Sequence, residues 1–138
     1  MNNEQFKMKN EKNTIMKTER ENILGIKSYA FAVRIVKLNI FLIEKKEFSL
    51  SKQIVRSGTA IGALLREAEY GQSKLDFISK MSIALKEANE TGFWLCLLKD
   101  TGFIAVSEFE SMNNDCLELI RILISSIKTA KSNLENEK

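Results

Sequence analysis

Apolar side chains recur at helical spacing along four long stretches of this chain, and no proline interrupts any of them. That combination leaves few folds open. Strands announce themselves by strict alternation and loops by proline and glycine clusters; neither is present, so the pattern predicts an all-α protein. Six glycines must serve every turn. At 138 residues and 44% apolar content the chain matches one ordinary domain with a sizeable core.

Residues 1–20 are polar with scattered apolar side chains, and read as a flexible tail that buries too little to offset the entropy of ordering. The body follows over residues 21–131. Its first helix, from about Lys27 to Lys46, carries one apolar row at Tyr29, Val33, Val36, Ile40 and Ile43 and a second at Phe31, Ile35, Leu38 and Leu42. Two adjacent rows predict a broad buried arc. The second helix, capped by Ser49 or Ser51, has its seam at Ile54, Gly58, Ile61, Leu65 and Ala68 and stops at Tyr70-Gly71, where glycine suits the left-handed position. Ser73 and Asp76 resemble a capping pair for the third, whose core row is Phe77, Met81, Ala84, Ala88, Thr91, Leu95 and Leu98. Thr101-Gly102 ends it. Ser107 caps the fourth, with Glu108 and Glu110 near its positive end and Phe109, Met112, Cys116, Leu119, Leu123 and Ile127 along its seam, before a polar C-terminal tail over 132–138. Short connections make neighbours antiparallel, so the expected architecture is an up-down-up-down four-helix bundle.

Within the second helix the run Ser57-Gly58-Thr59-Ala60-Ile61-Gly62-Ala63 places Gly58 and Gly62 four apart on one face. Each costs a helix interior about 0.5 to 1 kcal/mol relative to alanine, a loss that tight helix packing offsets. The pair reads as a packing groove. It is not a membrane motif, because Lys52, Arg56, Arg66 and Glu67 share the helix, and no apolar run reaches membrane length.

Candidate chemistry is sparse. With no histidine, the carboxylate pairs Glu87 and Glu90 and Glu67 and Glu69 lack the partners of a di-metal bundle site and read as surface charges; no metal and no cofactor is expected. Cys96 and Cys116 have neither the number nor the spacing of a disulfide framework, and a reducing cytoplasm is the expected setting. Net charge is +3, of which residues 21–138 carry +1. The charge is localised: from Lys27 to Lys46 five basic residues face one acid, Glu44. A face of Lys27, Arg34, Lys37 and Lys45 with Phe41 among them suits phosphate neutralisation. Near the end of the third helix Phe93, Trp94 and Leu97 lie off the core seam and predict a covering surface beyond one bundle.

Two segments carry a resemblance: Arg56-Ser57-Gly58-Thr59-Ala60-Ile61-Gly62-Ala63 with Glu67-Ala68, and Ala84-Leu85-Lys86-Glu87-Ala88-Asn89-Glu90-Thr91 leading to Trp94-Leu95, Leu98 and Thr101-Gly102-Phe103-Ile104. From about Lys27 to Lys131 the chain resembles the four-helix proteins encoded by intervening sequences in bacterial 23S ribosomal RNA genes. The resemblance implies a cytoplasmic homopentameric ring. It also implies kinship with the accessory protein of diversity-generating retroelements, which binds nucleic acid and a reverse transcriptase through a basic surface. No catalytic motif comes with it.

The leading expectation is therefore a non-enzymatic homo-oligomer that contacts RNA or DNA weakly through Lys27, Arg34 and Lys37, with Arg56 and Arg66 secondary. The alternative is an assembly or adaptor module that binds a protein partner, such as a reverse transcriptase, through Phe93, Trp94 and Leu97. An enzyme ranks third.

Overall fold

The computed structural model describes the backbone of residues 3–137 and the side chains of residues 3–5 and 22–137. Four helices fill it: α1 (Asn3–Glu44), α2 (Ser49–Glu69), α3 (Lys74–Asp100) and α4 (Val106–Asn136). Contacts between neighbours run in opposite senses. Ile35 meets Gly58 while Ser28 meets Gly62, Arg56 pairs with Glu87 while Glu67 pairs with Lys80, and Ala88 meets Cys116 while Lys74 pairs with Glu137. All four helices share one apolar cluster, with Phe31, Ile35, Ile54, Ile61, Met81, Leu95, Met112 and Leu123 essentially sealed from solvent.

Both ends of the chain differ from expectation. α1 runs back to Asn3, through the segment read as a tail, and α4 runs on to Asn136. From Asn3 to Leu24 there is neither glycine nor proline, and lysine, glutamate and methionine, all good helix formers, are frequent. Met1, Asn2 and Lys138 lie outside the described residues.

The core rows of α2 and α4 are those the spacing predicts, except that Phe109 is half-buried; in α3, Ile78 replaces Phe77 as the sealed residue of the first turns. α1 is the exception. Phe31, Ile35, Leu38 and Leu42 are buried, but Tyr29, Val33, Val36, Ile40 and Ile43 are exposed, so the expected broad arc is half as wide. The reason is geometric: α2 and α4 flank α1 and cover one side of it, and nothing among the described residues covers the other.

Helix ends show which groups satisfy the free amides. Ser73 caps α3 as expected, its hydroxyl accepting from the Asp76 amide at 3.0 Å. Neither Ser49, Ser51 nor Ser107 caps a helix. Glu47 serves α2 instead, its carboxylate accepting from the amides of Ser49, Leu50 and Ser51 at 2.8 to 3.2 Å, and α4 starts after Ala105 without a side-chain cap. A carboxylate ahead of the first turn also meets the positive end of the helix dipole. Gly71 is not left-handed; a Cβ there would lie 2.9 Å from Asp76 Oδ2 and 3.1 Å from the Ala68 carbonyl oxygen, so space is what it supplies.

Among the described residues the left-handed ones are Gly102 (φ 81°), which closes α3 with bonds from its own amide to Lys99 and from Phe103 to Leu98, and Lys46 (φ 61°), which closes α1 the same way. A side chain in that region costs about 1 kcal/mol or more that glycine avoids. Lys46→Gly should therefore raise stability by about 0.5 to 1 kcal/mol, read as a higher midpoint in urea; an unchanged or lower midpoint would show that the turn holds Lys46 without strain.

Candidate functional site

The first helix presents two outer faces, one apolar and one basic, and their surroundings differ. Ile26, Tyr29, Val33, Val36, Ile40 and Ile43 follow each other at three- and four-residue steps and form one continuous row, from 38% exposed at Val33 to 72% at Ile26. Beside its first half the α1–α2 seam opens into a groove of about 790 Å³ lined by Gly25, Ser28, Ala32, Gly62 and Ala63 and by Tyr29 and Arg66. The Arg66 guanidinium sits 5.9 Å from the centre of the Tyr29 ring, a cation–π distance.

The glycines explain how the row comes to sit so close to α2. A Cβ on Gly58 would lie 2.7 to 2.9 Å from three side-chain atoms of Ile35, and one on Gly62 would lie 3.4 Å from Ser28 Oγ. Their partner is the same chain's α1. At Gly58 the Ile35 side chain takes the space a Cβ would fill, and at Gly62 the Ser28 backbone lies 3.6 Å from the Cβ position.

The basic face is answered in part from within. Lys27 pairs with Glu118, and Arg34 pairs with Asp115 at 2.5 Å while also donating to the Ser111 hydroxyl at 3.0 Å. Arg56 bridges Glu87 and Glu90 on α3. Of the five cations read as phosphate contacts, Lys37 and Arg66 have no carboxylate partner among the described residues. Lys45 lies 5.6 Å from the centre of the Phe41 ring.

The off-seam side chains differ in exposure, although the Phe93 and Trp94 rings touch. Phe93 is exposed, while Trp94 is half-buried against the core and donates its indole N–H to Glu90 at 3.2 Å, edge-on to Phe93. Leu97 is half-buried. The outer row of α1 has the periodicity of a core row; two adjacent apolar rows, together wider than a bundle helix needs, are the signal for a second surface.

Beneath Arg56 the α2–α3 seam holds a buried polar pair. Thr91 Oγ1 lies 2.9 Å from Ser57 Oγ and 2.8 Å from the Glu87 carbonyl oxygen. No group of three or more histidine, cysteine, aspartate or glutamate side chains suited to a metal occurs among the described residues. Burial pushes the Cys116 thiol up to about 11, with the nearby Asp115 charge adding to the rise against a lowering backbone bond from Gly92. Both cysteines are free, Cys96 exposed and Cys116 buried. A thiol-directed reagent at pH 8 should accordingly label one site in the folded protein and two after denaturation; rapid labelling of Cys116 in the folded state would contradict its burial.

The family model for 23S rRNA-intervening sequence proteins matches residues 20–125, which takes in most of α1 from Arg20, all of α2 and α3, and two thirds of α4. The chain belongs to that family. A crystal structure of a protein of unknown function from the S23 ribosomal protein family of Bacteroides thetaiotaomicron is similar at 57% identity and a TM-score of 0.78, over 79% of this chain and 98% of that one. No curated protein matches the sequence. For this member of the intervening-sequence family, the matched region holds every feature just described: the glycine seam, the apolar row of α1, and the Arg56 and Thr91 contacts. No described helix is long and apolar enough to cross a membrane.

Proposed function

We propose that this protein is a non-enzymatic structural module that assembles with copies of itself into a ring, five copies being the number the resemblance implies. The observation that carries this reading is the six-residue apolar row of α1, too long and continuous for scattered surface exposure. Its three- and four-residue steps are those of helices that pack on other helices. The titratable groups support a non-catalytic role: the carboxylates Glu87 and Glu90 are committed to Arg56, and the Cys116 thiol is buried and protonated at neutral pH. Light scattering at micromolar concentration should return a mass several times that of one 15.7 kDa chain. A monomer there would sink the reading and leave the row to a different protein.

Weak, sequence-independent contact with RNA or DNA is the second reading, favoured by Lys37, Lys45 and Lys46 of α1, which no carboxylate answers among the described residues. A ring repeats that set in every copy. Because Lys27, Arg34 and Arg56 already face carboxylates, few counterions are released per chain and the salt dependence is carried by copy number. Absence of binding to the assembled protein at low ionic strength would rule it out.

A further inference from the structure

We infer that the apolar row of α1 is covered by the outer face of α4 from a second copy, lying antiparallel to it and at the same height. This rests on the assembly reading above and names the surface that completes it. α4 carries an outer row of its own. Val106, Leu117 and Ile124 are 46% to 59% exposed and Ile120 is half-buried, and with Glu110 and Asn113 they continue at three- and four-residue steps from 106 to 124. At 1.5 Å per residue that row is about 27 Å long, against about 26 Å for the α1 row from 26 to 43. Phe93 on α3 flanks it, one residue on from Gly92, whose Cβ position lies 4.0 Å from Asn113.

The heights agree as well as the lengths. Within one chain Lys27 meets Glu118 and Arg34 meets Ser111 and Asp115, which fixes the level of each α1 residue against α4. A second copy placed alongside without axial shift brings Ile26 level with Ile120, Tyr29 with Leu117 and Ile40 with Val106. Such a contact joins two different faces, so it is heterologous, and with no axial step it can close on itself.

Charge selects α4 over a second α1. The α1 residues Lys37, Lys45 and Lys46 have no ion pair among the described residues, and neither do Glu108 and Glu110 at the start of α4. The same alignment sets Lys37 beside Glu110. Two α1 rows face to face would bring together surfaces that are both basic, with no carboxylate near Lys37.

The test uses two full-length variants, Val33→Glu with Ile40→Glu on α1 and Leu117→Glu with Ile124→Glu on α4, with helical content checked by circular dichroism. All four positions are exposed in the single chain, so each variant keeps the bundle. Each alone should be monomeric by light scattering, and an equimolar mixture should give a one-to-one dimer and nothing larger, because the mixture holds one intact α1 row and one intact α4 row. A mixture that stays monomeric overturns the inference. So does an α4 variant that assembles like the parent while the α1 variant does not, an outcome that leaves the α1 reading standing. If the α1 variant assembles like the parent, the inference falls because the row is not the contact, whereas a monomeric parent is the result that sinks the assembly reading. Lys37→Glu and Glu110→Lys should each weaken assembly at least tenfold and the two together in one chain should restore it; failure of that restoration removes the proposed alignment.

Discussion

Gly58→Val should cost about 3 kcal/mol of stability, the upper part of the range for overfilling a packed core. The first added atom alone would sit 2.7 to 2.9 Å from three side-chain atoms of Ile35, which is itself completely buried and has no open space into which to turn. Two further methyl groups enlarge the clash. Helix propensity works in the other direction, since removing glycine gains about 0.5 to 1 kcal/mol, so Gly58→Ala should be the milder change. The effect appears as a melting point lowered by about 4 °C per kcal/mol, at fixed protein concentration because assembly also stabilises the fold. All three clashing atoms belong to the Ile35 side chain beyond Cβ, so Gly58→Ala should cost less in an Ile35→Ala background than in the parent. Unaltered melting of Gly58→Val would mean that α1 and α2 do not approach at this point.

The second large effect concerns Thr91. Thr91→Val keeps the shape but removes the hydroxyl that Ser57 uses, leaving a sealed polar group at the α2–α3 seam without its partner across it. An unsatisfied buried group of this kind costs about 1 to 3 kcal/mol, whereas removing both members together costs less than the sum. Denaturant unfolding of Thr91→Val, Ser57→Ala and the double variant should show that shortfall as a coupling energy. Additive losses would show that the two hydroxyls do not interact. Ser57 has a weaker local alternative, the Ile54 carbonyl oxygen at 3.5 Å, which keeps the expected cost below the top of the range.

Much of the fold was legible because helical periodicity reports burial directly. The α2 seam at Ile54, Gly58, Ile61, Leu65 and Ala68 and the Ser73 cap follow from local spacing, and both are present. Local spacing fails where the partner is distant or absent. The outer row of α1 has the periodicity of a buried one, and periodicity does not tell cover by the same chain from cover by another. Lys27 and Arg34 read as free cations because Glu118 and Asp115 lie some eighty or more residues away in sequence. Ser49 and Ser51 have the chemistry of caps, yet Glu47 reaches their amides first. Trp94, grouped with Phe93 by its off-seam position, does touch it edge-on but is also tied down by its bond to Glu90, which spacing does not show.

The α1–α4 seam has a consequence for how the bundle comes apart. It is the sparsest of the four seams, and among its contacts are half-exposed ion pairs, the class of interaction worth least in water and most readily screened by salt. The seam of α2 against α3 also carries ion pairs, Arg56 with Glu87 and Glu90 and Lys80 with Glu67, but it is the most extensive of the four and holds the buried Ser57–Thr91 pair, and the glycine seam of α1 against α2 rests on close packing. Transient opening should therefore begin where the first and last helices meet, and amide hydrogens of α4 facing α1 should exchange sooner than those of α2, more so as salt is raised. The two ends of the sequence are brought together last and let go first.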